Sequence, residues 1–180
     1  MLQMMDDGLV VEELPELRAD VVGLRVPFEE FFEAERDRLF GLMFLVTRDR
    51  GEAEEIAQDA FLAIWERWDR VHALENPAGY LTRTAMNLFR KRYRRKAVLR
   101  RILPPARPSD QEGPADSRLM LSEALRGLSP RQRAALVLTE LFGYSSEEAA
   151  SILHVKPTTI GALKYQGRAA LRKDAERTDD

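Results

Sequence analysis

The stretch SSEEAASILHVKPTTIGALKY, Ser145–Tyr165, decides how the rest of the chain is read. Ser145 followed three positions later by Glu148 is a capping box, so a short helix is expected from about Ser146 to Leu153. A tight turn follows, and a second helix opens at Pro157, where a fixed φ suits the first helical position. Ala150 is small where two helices must cross closely, and Ile160, ten residues on, is the apolar anchor of the second helix. This is helix-turn-helix spacing, in which the second helix enters a DNA major groove. His154 stands at the turn position usually held by glycine, where a left-handed backbone is uncommon for His though open to it. A plain pair of packed helices is the competing reading.

Working back from that motif, Ser129–Pro130 with Gln132 forms another capping box, and Gly143 closes the helix it starts. Further upstream, RILPPARPSDQEGPADSR (Arg101–Arg118) carries four prolines and little apolar content, which reads as an extended linker. Before it the pattern is again helical. Phe28, Phe31, Phe32, Leu39, Leu42, Met43 and Val46 make one buried stripe. Ala53, Ile56, Ala57, Ala60, Phe61 and Ile64 make a second apolar face, with Trp65 and Trp68 expected mostly in the core. A third helix is capped by Asn76, opens at Pro77, and runs through Tyr80, Leu81, Met86 and Leu88. No repeat and no alternating strand pattern is present. The expected fold is all-α: two small helical domains joined by a proline-rich linker.

Charge is unevenly placed. The 180 residues carry a net charge of −2, yet Asn87–Arg101 holds eight Lys or Arg and no acid. Every charged residue from Asn76 to Arg101 is basic, whereas the preceding GEAEEIAQDAFLAIWERWD is predominantly acidic. Two adjacent segments of opposite sign suggest two partners, one of them anionic. A solvated helix face is the plainer reading of a basic run. Against it, Arg83, Arg90, Lys91, Arg92, Arg94, Arg95 and Lys96 wrap more than one face and suit phosphate neutralisation. Tyr80, Phe89 and Tyr93 offer rings to an unstacked base, though core packing is the stronger reading for Phe89. On the acidic helix, Leu62 stands among Glu55, Gln58, Asp59 and Glu66, an apolar residue on an outer face that suits protein docking.

Cysteine is absent, which excludes disulfides and thiolate metal sites and fits a reducing cytoplasm. The acidic N-terminus lacks the basic region of a signal peptide, and no apolar run reaches the ~20 residues of a membrane span. The two histidines, His72 and His154, lie in different blocks with no nucleophile–base or metal-ligand spacing. No catalytic residue, metal or cofactor is expected, and no enzyme.

Taken together, these segments resemble the extracytoplasmic-function (ECF) sigma factors of the sigma-70 family. DRGEAEEIAQDAFLAIWERWDRV is similar to their region 2.2, and NPAGYLTRTAMNLFRKRYRR to regions 2.3 and 2.4. The segment from Leu125 to Lys173 is similar to region 4. The resemblance implies an N-terminal extension at 1–25, a region 2 domain at 26–101, a linker at 102–117 and a region 4 domain at 118–176. It implies a factor that binds core RNA polymerase at the beta-prime clamp helices and beta flap, recognises and opens a promoter, and works in the cytoplasm without membrane insertion. An anti-sigma factor is a further implied partner. By position, Glu55, Gln58, Asp59 and Leu62 would dock on the clamp helices. Asn76, Tyr80, Arg83, Asn87, Arg90, Lys91, Arg94 and Arg95 would serve the minus-ten element, with the VHALENP loop taking a flipped base.

In the second helix of the motif, Thr158, Thr159, Ala162 and Tyr165 share a face, and small residues let a helix sit deep in the groove. With Gln166 they would read the minus-thirty-five element, while Lys164 and Arg168 form a separate row suited to phosphate. Departures from the family pattern are Lys91, where an acid is common, and Gly161, Ala162 and Leu163, where Lys, Ser and Arg are frequent. Two other readings of the chain are a one-component helix-turn-helix regulator with a helical sensing domain, and a DNA-processing enzyme with a helix-turn-helix appendage.

Overall fold

In a computed structural model, residues 26–99 and 116–178 are described. The expected N-terminal extension and nearly all of the expected linker lie outside them. Every element among the described residues is helical. The order is α1 (Phe28–Thr47), α2 (Arg50–Trp65), α3 (Trp68–Val71), α4 (Pro77–Leu99), α5 (Asp116–Ala124), α6 (Pro130–Leu136), a wider π-helical turn (Val137–Leu141), α7 (Ser146–Leu153) and α8 (Pro157–Thr178).

The first half is built by α1, α2 and α4. Asp49 caps α2, its side chain accepting from Glu52 N–H at 2.8 Å. Phe28, Phe31, Phe32, Phe61 and Trp68 form a cluster of tilted and edge-on rings. Such pairs add about 0.5–1.5 kcal/mol each beyond the area they bury. Trp68 Nε1 donates to Val26 O at 3.1 Å and so fixes where the chain enters. The helix around Trp65 is not continuous: α2 ends there and the chain restarts as α3 at Trp68.

In the second half, α6, α7 and α8 pack on one another. Both expected capping boxes form in full, at Ser129–Gln132 and at Ser145–Glu148. Gly143 adopts φ 72°, the left-handed exit that closes the long helical arm. Gly167 lets α8 approach α6 closely, since a Cβ there would meet Leu136 Cδ1 at 2.7 Å and push that side chain aside.

The halves are not separate. At the C-terminal end of α1, Gly41, Phe44 and Leu45 are buried as well as the expected Leu42, Met43 and Val46. One stripe faces α2; the other is covered by α5 and α6 of the second half. Arg48, which ends α1 with φ 59°, ties them further. Its Nε donates to Ser122 O at 3.0 Å and its Nη2 lies 2.9 Å from the Glu123 carboxylate. A non-glycine residue held left-handed costs on the order of 1 kcal/mol, which these contacts offset.

Candidate nucleic-acid interface

Asn76 Oδ1 accepts from Gly79 N–H at 2.7 Å, so its carboxamide oxygen serves as the cap of α4. From there α4 buries Leu81, Ala85, Met86 and Phe89, confirming that Phe89 is core. Arg83, Asn87, Lys91, Arg94 and Arg95 stand exposed, with Tyr80 and Arg90 half-buried. The basic helix is partly answered from within. Arg92 pairs with Glu55 and with Asp59, the latter at 2.7 Å, and Lys96 lies 2.8 Å from Glu52. The Arg92 guanidinium is held above its ordinary value, by Glu55 first. Two basic residues are thus used to bind α4 to the acidic α2, and two of the expected docking acids are engaged by the same arginine.

The helix-turn-helix forms as expected, with His154 left-handed at φ 52° and its N–H bonded to Ala150 O. Ala150 and Ile160 are buried between the two helices. Thr158, Ala162 and Tyr165 are exposed on one face, Tyr165 to 73%; Thr159 is half-buried. Lys164 and Arg168 do form a separate row, but both grip Glu140, at 2.9 and 2.8 Å. These contacts, Lys164 first, hold the Glu140 carboxyl below the usual carboxylate range. Gln166 turns toward α6, where its Oε1 is 3.5 Å from Gln132 Nε2.

What the sequence did not disclose is that the two surfaces expected to face DNA meet. Asn87 Oδ1 lies 3.0 Å from His154 Nε2, Arg83 bonds Ser151, and buried Thr82 shares a 2.8 Å hydrogen bond with Tyr144 Oη. Asn76, Tyr80 and Arg83 line a cavity of about 390 Å³ whose opposite wall is Tyr144, Glu147, Glu148 and Ser151. The expected base-capturing loop therefore borders a real concavity, roofed by α7.

On the other side of the first half, Leu62 is 55% exposed as expected, but Trp65, expected in the core, is 58% exposed. The correction has a simple cause: Trp65 is three residues beyond Leu62, on the same face, and the chain breaks immediately after it. Gln58, Leu62 and Trp65 of α2, with Phe28 and Phe32 of α1, line a groove of about 510 Å³. The signal for Trp65 was its phase with Leu62 rather than with Ile64. Among the described residues no His, Cys, Asp and Glu cluster suits a metal, and no helix is long and apolar enough to cross a membrane.

A two-part helical protein with a helix-turn-helix and a basic, aromatic-bearing helix has the architecture of a nucleic-acid-binding protein. Its family follows from comparison with known proteins. The Sigma-70 region 2 family matches residues 31–98, and the Sigma-70, region 4 family matches residues 118–171. The chain belongs to the sigma-70 family of RNA polymerase sigma factors. It is 28% identical over 155 residues to the RNA polymerase sigma-E factor of Streptomyces avermitilis, covering 84% of this chain and 87% of the relative. It is 30% identical to the ECF RNA polymerase sigma factor SigE of Mycolicibacterium smegmatis, covering 81% of this chain and 60% of the relative. In fold it is similar to the sigma factor RpoE of Bartonella quintana, solved with the anti-sigma factor NepR. That likeness has a TM-score of 0.70 at 23% identity and covers 81% of this chain and 94% of the other. The match of the first half to region 2 displaces the reading as a ligand-sensing regulator.

Proposed function

We propose that the chain is an ECF sigma factor in which 26–101 docks on core polymerase and opens the minus-ten element, while 118–176 reads the minus-thirty-five element. One observation supports this most directly. Leu62 and Trp65 stand exposed on α2 while Arg83, Asn87, Arg94 and Arg95 stand exposed on α4 of the same small domain, so polymerase and promoter could be held together. Asn87 and Tyr80 would capture bases, Arg94 and Arg95 phosphates, and Thr158, Ala162 and Tyr165 base edges. Glu55, Gln58, Asp59 and Leu62, joined by Trp65, would meet the clamp helices.

On this reading the chain is not an enzyme, acts in the cytoplasm, and answers to an anti-sigma factor, as the relatives solved with such factors suggest. The interdomain contacts also imply that promoter binding requires the halves to part. The test is run-off transcription: purified chain added to core polymerase should confer initiation at a subset of promoters selected from genomic fragments. Core-dependent binding without any promoter-specific transcript would overturn the proposal.

A further inference from the structure

Three guanidinium groups, those of Arg90 and Arg94 of α4 and Arg131 of α6, line one cleft of about 250 Å³ between the halves with no anionic partner among the described residues. Like charges brought this close repel. Burial, then Arg94 and Arg131, lower the Arg90 pKa from its ordinary value. Two residues from Arg131, Arg133 is 7% exposed, its Nε has no hydrogen-bond partner among the described residues, and after burial Arg48 does most to lower its pKa. A buried arginine without an anion is costly, and the three cations that line the cleft itself amount to a deficit of negative charge there.

The rest of the cleft is apolar and aromatic. Tyr93, 40% exposed, presents its ring, backed by Phe89 at 6.0 Å between centroids, and Leu163 and Val155 stand on the other wall. A bare phosphate would satisfy the arginines and leave these surfaces wet. A phosphorylated planar molecule would satisfy both, its phosphates held by guanidinium forks and its ring laid on Tyr93.

We propose that this interdomain cleft binds a nucleoside diphosphate, which bridges Arg90 and Arg94 to Arg131 and locks the two halves together. Because Arg90 and Arg94 belong to the basic face of α4, the bound nucleotide competes with promoter phosphates for them.

The test is isothermal titration of the purified full chain, in low-chloride buffer, with ADP and separately with inorganic pyrophosphate. ADP is expected to bind saturably at one site per chain and at least tenfold more tightly than pyrophosphate. Arg131→Ala is expected to weaken ADP at least tenfold, while Arg70→Ala, an exposed arginine on α3, changes it less than twofold. Arg131 lies outside every promoter-contacting residue named above. Its variant should therefore keep core-dependent transcription, so that failure of this site and failure of the sigma reading give different results. Absence of saturable binding would overturn the proposal, as would equal losses at Arg131 and Arg70 or equal affinity for ADP and pyrophosphate.

Discussion

Asn87 Oδ1 stands 3.0 Å from His154 Nε2, joining the helix expected to read one promoter element to the turn of the motif expected to read the other. The carboxamide oxygen can accept a second hydrogen bond, but the turn that carries His154 stands beside Asn87 where a base would have to come. On the proposed function, the arrangement in which they touch is a resting form, and its stability sets how readily the chain engages DNA.

Replacing His154 separates the turn from the contact. His154→Gly removes the partner of Asn87 yet suits the left-handed backbone at φ 52° better than any side chain does. The motif is expected to be kept or stabilised by up to about 1 kcal/mol, while the halves part more often. The chain has no cysteine, so single cysteines introduced at Glu66 and Glu176 would carry labels for distance measurement. A longer mean distance with unchanged helix content is expected; an unchanged distance would show that this contact does not hold the halves.

Thr82 and Tyr144 report the same closure from a buried position. Thr82 is 2% exposed and its hydroxyl bonds Tyr144 Oη at 2.8 Å. A double-mutant cycle of Thr82→Val and Tyr144→Phe should give a coupling of about 0.5–1.5 kcal/mol in urea unfolding, the usual worth of a neutral hydrogen bond. Zero coupling would mean the two hydroxyls do not meet in solution.

The docking face yields a sharper variant than its acids do. Asp59 already serves Arg92, so changing it also loosens α4 from α2. Leu62 and Trp65 are exposed and tie nothing together. Leu62→Arg with Trp65→Ala should reduce affinity for core polymerase at least a hundredfold (~3 kcal/mol, the cost of a central interface anchor) without shifting the unfolding midpoint. Full binding by this folded variant would place the polymerase contact elsewhere.

Arg133 tests the energetics of the seam. Burial first, then Arg48, pull its pKa down from the ordinary guanidinium value to about 10. A cation whose folded pKa is lowered weakens the fold at all pH below that value, and relief comes only as pH rises above it. The shift corresponds to an upper limit of about 3 kcal/mol. Arg133→Met keeps the length and removes the charge, so a gain of roughly 1–3 kcal/mol in unfolding free energy is expected at neutral pH. Destabilisation would show that the guanidinium has an anionic partner.

Local chemistry was legible in the sequence and long-range chemistry was not. Ser145–Glu148, Ser129–Gln132, Pro157 and His154 signal through neighbours within four residues, and each took its expected place. Phe44 and Leu45 read as surplus to a single stripe because the second covering layer, α5 and α6, comes from more than seventy positions away. Separation along the chain likewise hid the meeting of Asn87 with His154, 67 positions apart, and that of Arg90 with Arg131. Charge pattern gave the sign of each surface correctly but could not show that Arg92 and Lys96 would turn back onto α2.

Glu140 governs the last prediction. It grips both Lys164 and Arg168, the two cations of α8 best placed for a groove wall. Its carboxyl is held below the usual range, so the clamp is present above that range and is lost as pH falls through the lowered value; at neutral pH it is fully engaged. Glu140→Ala leaves the core intact, because the side chain is 39% exposed on the π-helical turn. Both cations then become free to meet phosphate. DNA affinity should rise for all sequences alike, and log K against log salt should steepen by up to about two, one unit for each released cation. Base preference should not change, since phosphate contacts carry no sequence information. Tyr165→Ala, on the exposed reading face, should do the reverse: relax preference at one or two positions, at about 1–3 kcal/mol, with the salt slope unchanged. Measuring both variants against a randomised promoter pool over a salt series decides the phase of α8. An altered base preference in Glu140→Ala with a constant slope would mean that the Lys164–Arg168 row faces the bases rather than the backbone.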